Sequence, residues 1–119
     1  GWYDTAAAAA ASPTLGTAQG VAITDGPGNY PDDQDCFKAY RGCTSVVFTN
    51  FDTDYDWLSL YDGPTESSTV LINQASGETI PAEKTPTPGQ TVLFKFHSDY
   101  NYGTLTRVDL KACASTAGS

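Results

Sequence analysis

Apolar side chains recur at every second position in four short runs of this chain. Val46 and Phe48 do so in SVVFTNF, Leu58 and Leu60 in WLSLYD, Val92, Phe94 and Phe96 in VLFKFHS, and Val108 and Leu110 in RVDLK. A period of two sends successive side chains to opposite faces of a strand, so each run reads as a strand with one face buried. No segment carries a helical period over a credible length. Turn signals separate the runs: DGPGNYPDD, DGPTESS, ASGE and TPTPGQ. Gly, Pro, Asn and Asp supply the backbone angles that tight turns require. Short strands at regular spacing between such turns predict an all-β fold, an antiparallel β-sandwich. The 119 residues suffice for one domain and one core.

The two ends differ from this pattern. Residues 1–20, GWYDTAAAAAASPTLGTAQG, hold an unbroken Ala6–Ala11 run followed by Pro13, Gly16 and Gly20. Alanine favours helix, but a run this short lies below the roughly 12–15 residues that an isolated helix needs, and Pro13 ends it. The segment is therefore expected to be extended or irregular. The expected organisation is a low-complexity segment over 1–20, a sandwich over 21–113 and a tail over 114–119. The segment would serve as a linker or as a strand that docks on another subunit.

Fourteen acidic residues against six basic ones give a net charge of −8. Phosphate binding needs a basic footprint, so nucleic acid is excluded as a partner, and so is attraction to anionic lipid. No apolar run approaches the ~18 residues of a membrane span, so no membrane insertion is expected. The sequence starts at Gly1 and contains no Met, which is expected of a processed N-terminus such as removal of a signal peptide leaves. Three cysteines in a small, acidic, Thr/Ser/Gly/Pro-rich chain fit an oxidising, extracellular setting. Three allow at most one internal disulfide. A zinc site would need closely spaced Cys pairs or further His ligands, and there is one His.

Two constellations carry possible chemistry. Asp52, Asp54 and Asp56 are spaced two apart in FDTDYDWLSLYDG, so on a strand they point to one side. Three like charges that close repel unless a cation or solvent relieves them, and hard oxygen ligands suit Ca²⁺. From spacing alone, a solvated acidic loop and a calcium site stand level. His97, Ser98 and Asp99 are consecutive, but a catalytic triad is assembled in space, and neighbours on a strand face opposite sides. Paired carboxylates for glycoside hydrolysis need a cleft that so small a sandwich hardly offers. The chain is not expected to be an enzyme.

Three stretches taken in order, GVAITDGPGNYPDDQDC, VFTNFDTDYDWLSLYDG and VLFKFHSDYNYGTLTRVDLKA, resemble the CUB domain. The shared features are a Tyr-Pro turn before a Cys, a Phe-rich strand, a Tyr-Asp pair opening the next strand, a Tyr-Asp-Gly turn and a late Phe-x-Ser-Asp. The resemblance spans roughly residues 20–113. It implies an extracellular jelly-roll β-sandwich that mediates protein or glycan contacts and is not catalytic. Carried onto this chain, the family's calcium ligands fall on Asp54, Asp56 and Asp99, with Tyr30 in support and Asn101 as a further oxygen. Of the family's cysteines, Cys36 follows the Tyr-Pro turn, while its usual partner nearer the N-terminus is absent. A Cys36–Cys43 bridge closing a small loop is the first expectation, leaving Cys113 free or paired between chains. Cys43–Cys113 is the alternative.

Two associative functions follow. In the first, the chain is a structural protomer. The family's first strands are missing before Val21, and an open sheet edge is a template for strand addition in trans. Residues 1–20 would dock head-to-tail on the next copy, with Trp2 and Tyr3 as anchors, and build an extracellular filament or array. In the second, the chain is a calcium-dependent recognition module for a protein or glycan. No Asn-x-Ser/Thr sequon occurs, whereas ASPT, GPTESS and EKTPTPGQT are candidate sites for O-linked sugar.

Overall fold

The computed structural model describes residues 2–17, 21–23, 34–48, 51, 53, 56–98 and 110–114. Along the chain these form α1 (Ala6–Ala11), β1 (Thr14–Leu15), β2 (Val21–Ile23), β3 (Gln34–Arg41) and β4 (Ser45–Phe48). They continue with β5 (Trp57–Asp62), β6 (Thr69–Ala75), β7 (Val92–Ser98) and β8 (Leu110–Ala114). Two sheets result, one of five strands in the order β1-β3-β7-β5-β6 and one of three in the order β2-β8-β4. All pairings are antiparallel except β1 with β3. The chain is an all-β sandwich.

The period-two pattern explains the core. Tyr40 from β3, Leu58 and Leu60 from β5, and Val92, Phe94 and Phe96 from β7 point inward from the larger sheet. Val46 and Phe48 from β4 meet them from the smaller one, with Phe51 beyond the strand. Aromatic edges fill the layer: Tyr40 and Phe94 meet at 88° with centroids 5.7 Å apart, and Phe48 and Phe51 at 76° and 5.9 Å. Edge-to-face contact of this kind favours aromatic pairs beyond the area they bury.

The outer face of the larger sheet also carries a buried cluster. Phe37, Ala39 and Leu93 pack with Ala9, flanked by Tyr3, Ala6 and Tyr61. The cover is α1, so the N-terminal segment is neither extended nor irregular over Ala6–Ala11. Thr5 caps this helix by accepting a bond from the Ala8 N–H at 3.1 Å. Too short to stand alone, the helix is held by docking. Alanine's lack of a long side chain lets its backbone approach the sheet until Ala9 is fully buried.

β6 is irregular. Its pairing with β5 shifts register twice, and Gln74 takes a positive φ of 51°. The Gln74 N–H instead bonds to the buried Ser59 hydroxyl at 2.9 Å. At the opposite end of this hairpin, a Cβ added at Gly63 would collide with the Ser68 side chain, which is why the turn requires glycine there.

The expected Cys36–Cys43 bridge does not form. Cys36 is a free thiol, and Cys43 is disulfide-bonded. β3 is extended from Cys36 to Arg41, a span of about 17 Å at ~3.3 Å per residue. A disulfide tolerates Cα separations of only about 7 Å.

Candidate interaction surfaces

The N-terminal segment is the first surface to place, because the sequence offers Trp2 and Tyr3 as anchors for a neighbour. Here both are seated on their own module. The Tyr3 N–H donates to the Phe37 carbonyl and the Phe37 N–H to the Tyr3 carbonyl, each at 2.8 Å, so Tyr3 pairs with the edge of β3. Trp2 packs against the core, its ring tilted at 55° to Phe96 with centroids 6.2 Å apart. The Lys38 ammonium lies 5.8 Å from the Trp2 ring. Lys38 shares the inward parity of Tyr40, and burial pulls its pKa below the ordinary range. Further along, Thr14 and Leu15 pair in parallel with Tyr40 and Arg41, and the Gly16 N–H reaches the Arg41 carbonyl at 2.8 Å. The chain's own first residues thus pair with the edge of β3 at Phe37 and again at Tyr40 and Arg41.

The second surface is the acidic end of the sandwich. Asp56 lies at the end of a turn in which its N–H bonds to the Thr53 carbonyl at 2.8 Å. Thr53 is fully buried and clamps Gly77: its hydroxyl accepts from the Gly77 N–H at 2.9 Å, and its own N–H donates to the Gly77 carbonyl at 3.0 Å. The entry of the chain into β5 is thereby fixed. Trp57 pairs with His97 and Gln34 with Ser98, so Asp56 stands at the end of the sheet where β7 finishes and β3 begins. Of the other expected calcium ligands, Asp54, Asp99 and Asn101, with the supporting Tyr30, lie outside the described residues. No group of three metal-ligating side chains occurs among the described residues.

Sequence reasoning missed a third surface, on the outer face beside α1. One row across β3, β7 and β5 carries Asp35, His97 and Trp57. His97 Nδ1 lies 2.6 Å from Asp35 Oδ1, and the imidazole stacks on the Trp57 indole at 4.9 Å and 19°. In the next row, Lys95 reaches Glu66 at 2.6 Å and Asp35 at 3.8 Å. Its ammonium lies 5.5 Å from the Trp57 ring and 5.8 Å from that of Phe37. Burial alone would lower the Lys95 pKa, but the bond to Glu66 and the charges of Asp35, Glu66 and Tyr61 hold it above its ordinary range. The exposed side of this network makes each ion pair worth at most about 1 kcal/mol. Its parts were separate in the sequence, and only the β3–β7–β5 register brings them together. His97 therefore turns to Asp35 across the sheet.

A groove of about 450 Å³ lies at the far end of β3, between Gly42, Cys43 and Thr44 on one side and Thr85, Pro86, Pro88 and Gly89 on the other. Asp62 anchors that second side by accepting bonds from the Thr87 N–H at 3.1 Å and the Thr87 hydroxyl at 2.7 Å. Cys36 pairs with Phe96 across β3 and β7, its thiol 3.8 Å from the Phe96 carbonyl. Burial, then the charges of Asp35 and Asp4, push its pKa up to about 12. So protonated a thiol is a poor nucleophile.

No family model matches the sequence. Among solved structures, the CUB1-EGF-CUB2 fragment of human MASP-1/3 is similar over 82% of this chain, with a TM-score of 0.59 and 28% identity. The chain spans 39% of that fragment's length. No described helix is long and apolar enough to cross a membrane. The paired sheets, their shared aromatic core and this likeness together give the chain a divergent CUB-like fold, of a kind typical of extracellular interaction modules.

Proposed function

We propose that this chain is a non-enzymatic extracellular module that recognises a protein or glycan partner with Ca²⁺ held at the acidic end of its sandwich. The observation that supports this reading is the register of β5 on β7. It sets Asp56 at the end of the sheet where the chain leaves Ser98 for Asp99. Carboxylates drawn from two separate strands supply the oxygen donors that a hard cation prefers. Asp54, Asp56, Asp99 and Asn101 would hold the ion, with Tyr30 supporting them. The ion would neutralise the like charges and fix the loops that meet a partner.

Calcium binding only to the folded state stabilises it by mass action. Thermal melting in calcium against melting in chelator tests the reading. Chelation is expected to lower the melting temperature, and Asp99→Ala to abolish the difference. Identical melting of the unaltered protein in both conditions would sink the site.

A second reading, head-to-tail self-association into an extracellular filament or array, is favoured by one observation. Residues 2–16 make contacts along the edge of β3, on the outer face and, through Trp2, at the core beside Phe96, where a neighbour's segment could make the same ones.

A further inference from the structure

The N-terminal segment has little structure of its own. Its helix is six alanines long and its strand two residues long, both below what stands unaided. What orders it is the acceptor: the β3 edge opposite Tyr3, the Phe96 and Lys38 side chains around Trp2, the Phe37, Ala39 and Leu93 surface under α1, and the Tyr40–Arg41 edge beside β1. Between β1 and β2 the chain has only residues 16–20.

We infer that this edge is a strand-acceptor site that takes residues 2–15 of a second copy as readily as its own. The inference deepens the self-association reading and is independent of calcium. Own and exchanged segments would make identical contacts, so the difference between them lies in the connector. A short connector gives an effective local concentration of about millimolar. Dilute protein therefore closes on itself. Crowded protein, or protein whose connector is too short to reach its own edge, exchanges segments. Lining the edge with aromatic and small residues suits this: Trp2 and Tyr3 anchor while the alanines let the backbone lie close.

The pair Leu15 and Arg41 reports on exchange, since they are register partners and both are exposed. Neighbouring strands bring such Cα atoms within disulfide reach. Leu15→Cys and Arg41→Cys are made as separate chains, each carrying Cys36→Ser. They are mixed, unfolded in denaturant at acidic pH and refolded together, then oxidised and run on a non-reducing gel. The expected result is a cross-linked heterodimer severalfold above that of a control mixture of Ser67→Cys with Arg41→Cys. It should rise with concentration toward about millimolar and rise further when residues 17–19 are deleted. The double variant Leu15→Cys/Arg41→Cys should close within one chain in dilute solution, which verifies folding and register. Heterodimer no greater than the control, at high concentration and with the shortened connector, overturns the inference. Failure of the double variant to close overturns it too, because the acceptor register would be wrong. Sizing of the uncross-linked shortened chain separates the two levels. A ladder of growing oligomers supports exchange and the filament, whereas a population stopping at two supports exchange and overturns the filament.

Discussion

Truncating Trp2 to alanine asks whether the first residues belong to the folded unit. If they form a tail, the substitution does nothing to stability. If they dock as described, three contributions are lost. Half-burying a large side chain contributes about 1–2 kcal/mol on the scale of core residues. The tilted contact with Phe96 adds about 0.5–1.5 kcal/mol. The Lys38 ammonium over the indole adds about 0.5–1 kcal/mol at a partly exposed site. The expected loss is about 3 kcal/mol. For a domain of this size each kcal/mol moves the melting temperature by about 4 °C, so Trp2→Ala should melt about 12 °C lower. Differential scanning calorimetry at micromolar concentration measures this. Trp2→Phe should recover most of the loss, because the ring contact with Phe96 persists. A melting temperature within about 1 °C of the parent's would refute the docking and, with it, the strand-acceptor inference.

Three further outcomes are expected. The Tyr40 hydroxyl is fully buried with no hydrogen-bond partner among the described residues, and burial raises its pKa; Tyr40→Phe should therefore stabilise the protein by about 1–2 kcal/mol in chemical denaturation, and a loss of stability would mean that the hydroxyl is satisfied. The Cys36 thiol stays protonated in the folded state up to about pH 12, whereas in the unfolded chain it ionises near its ordinary value of 9.0; stability should thus fall as pH rises above about 9, and Cys36→Ser should flatten that fall, so an unchanged pH profile would contradict the burial argument. With Cys36 free and Cys43 bonded, we propose Cys43–Cys113 as the bridge, closing a long loop worth about 4 kcal/mol. Non-reducing peptide mapping should find Cys43 linked to Cys113 and one alkylatable thiol at Cys36, and any Cys36-containing bridge would refute the assignment.

The strands that the sequence announces are those whose two faces differ. Val92, Phe94 and Phe96 face the core, and Leu58 and Leu60 do the same, so β7 and β5 stand out by alternation alone. β3 does not. Its inward set includes Cys36 and Lys38, and its outward set includes Phe37 and Ala39, which α1 covers. With both faces partly buried, the polar contrast that marks a strand is lost. β6 escapes notice because its two register shifts break the period. The helix was hidden because six residues are too few for alanine's propensity to hold a helix alone, and only the apolar surface of β3 and β7 makes it form. Of the aspartate run Asp52, Asp54 and Asp56, the described residues include Asp56, at the entry to β5. The Asp35–His97–Trp57 row was not legible, since its members come from three strands and the pairing register alone aligns them.

The irregularity of β6 bears on solubility. Among the described strands it is the last of the larger sheet, with none on its outer side, and its sequence TVLINQA has no charge and no proline to discourage pairing with foreign strands. Such stretches are the raw material of amyloid-like stacking. The two register shifts and the left-handed turn of the backbone at Gln74 remove the even comb of donors and acceptors that an incoming strand must match. Shape, not charge, thus works against growth from this side. The two flanks of the larger sheet thus differ: the β3 flank carries the chain's own Tyr3 and β1, while the β6 flank is irregular. Lateral fusion of two such sheets through their β6 flanks is therefore disfavoured by the backbone itself.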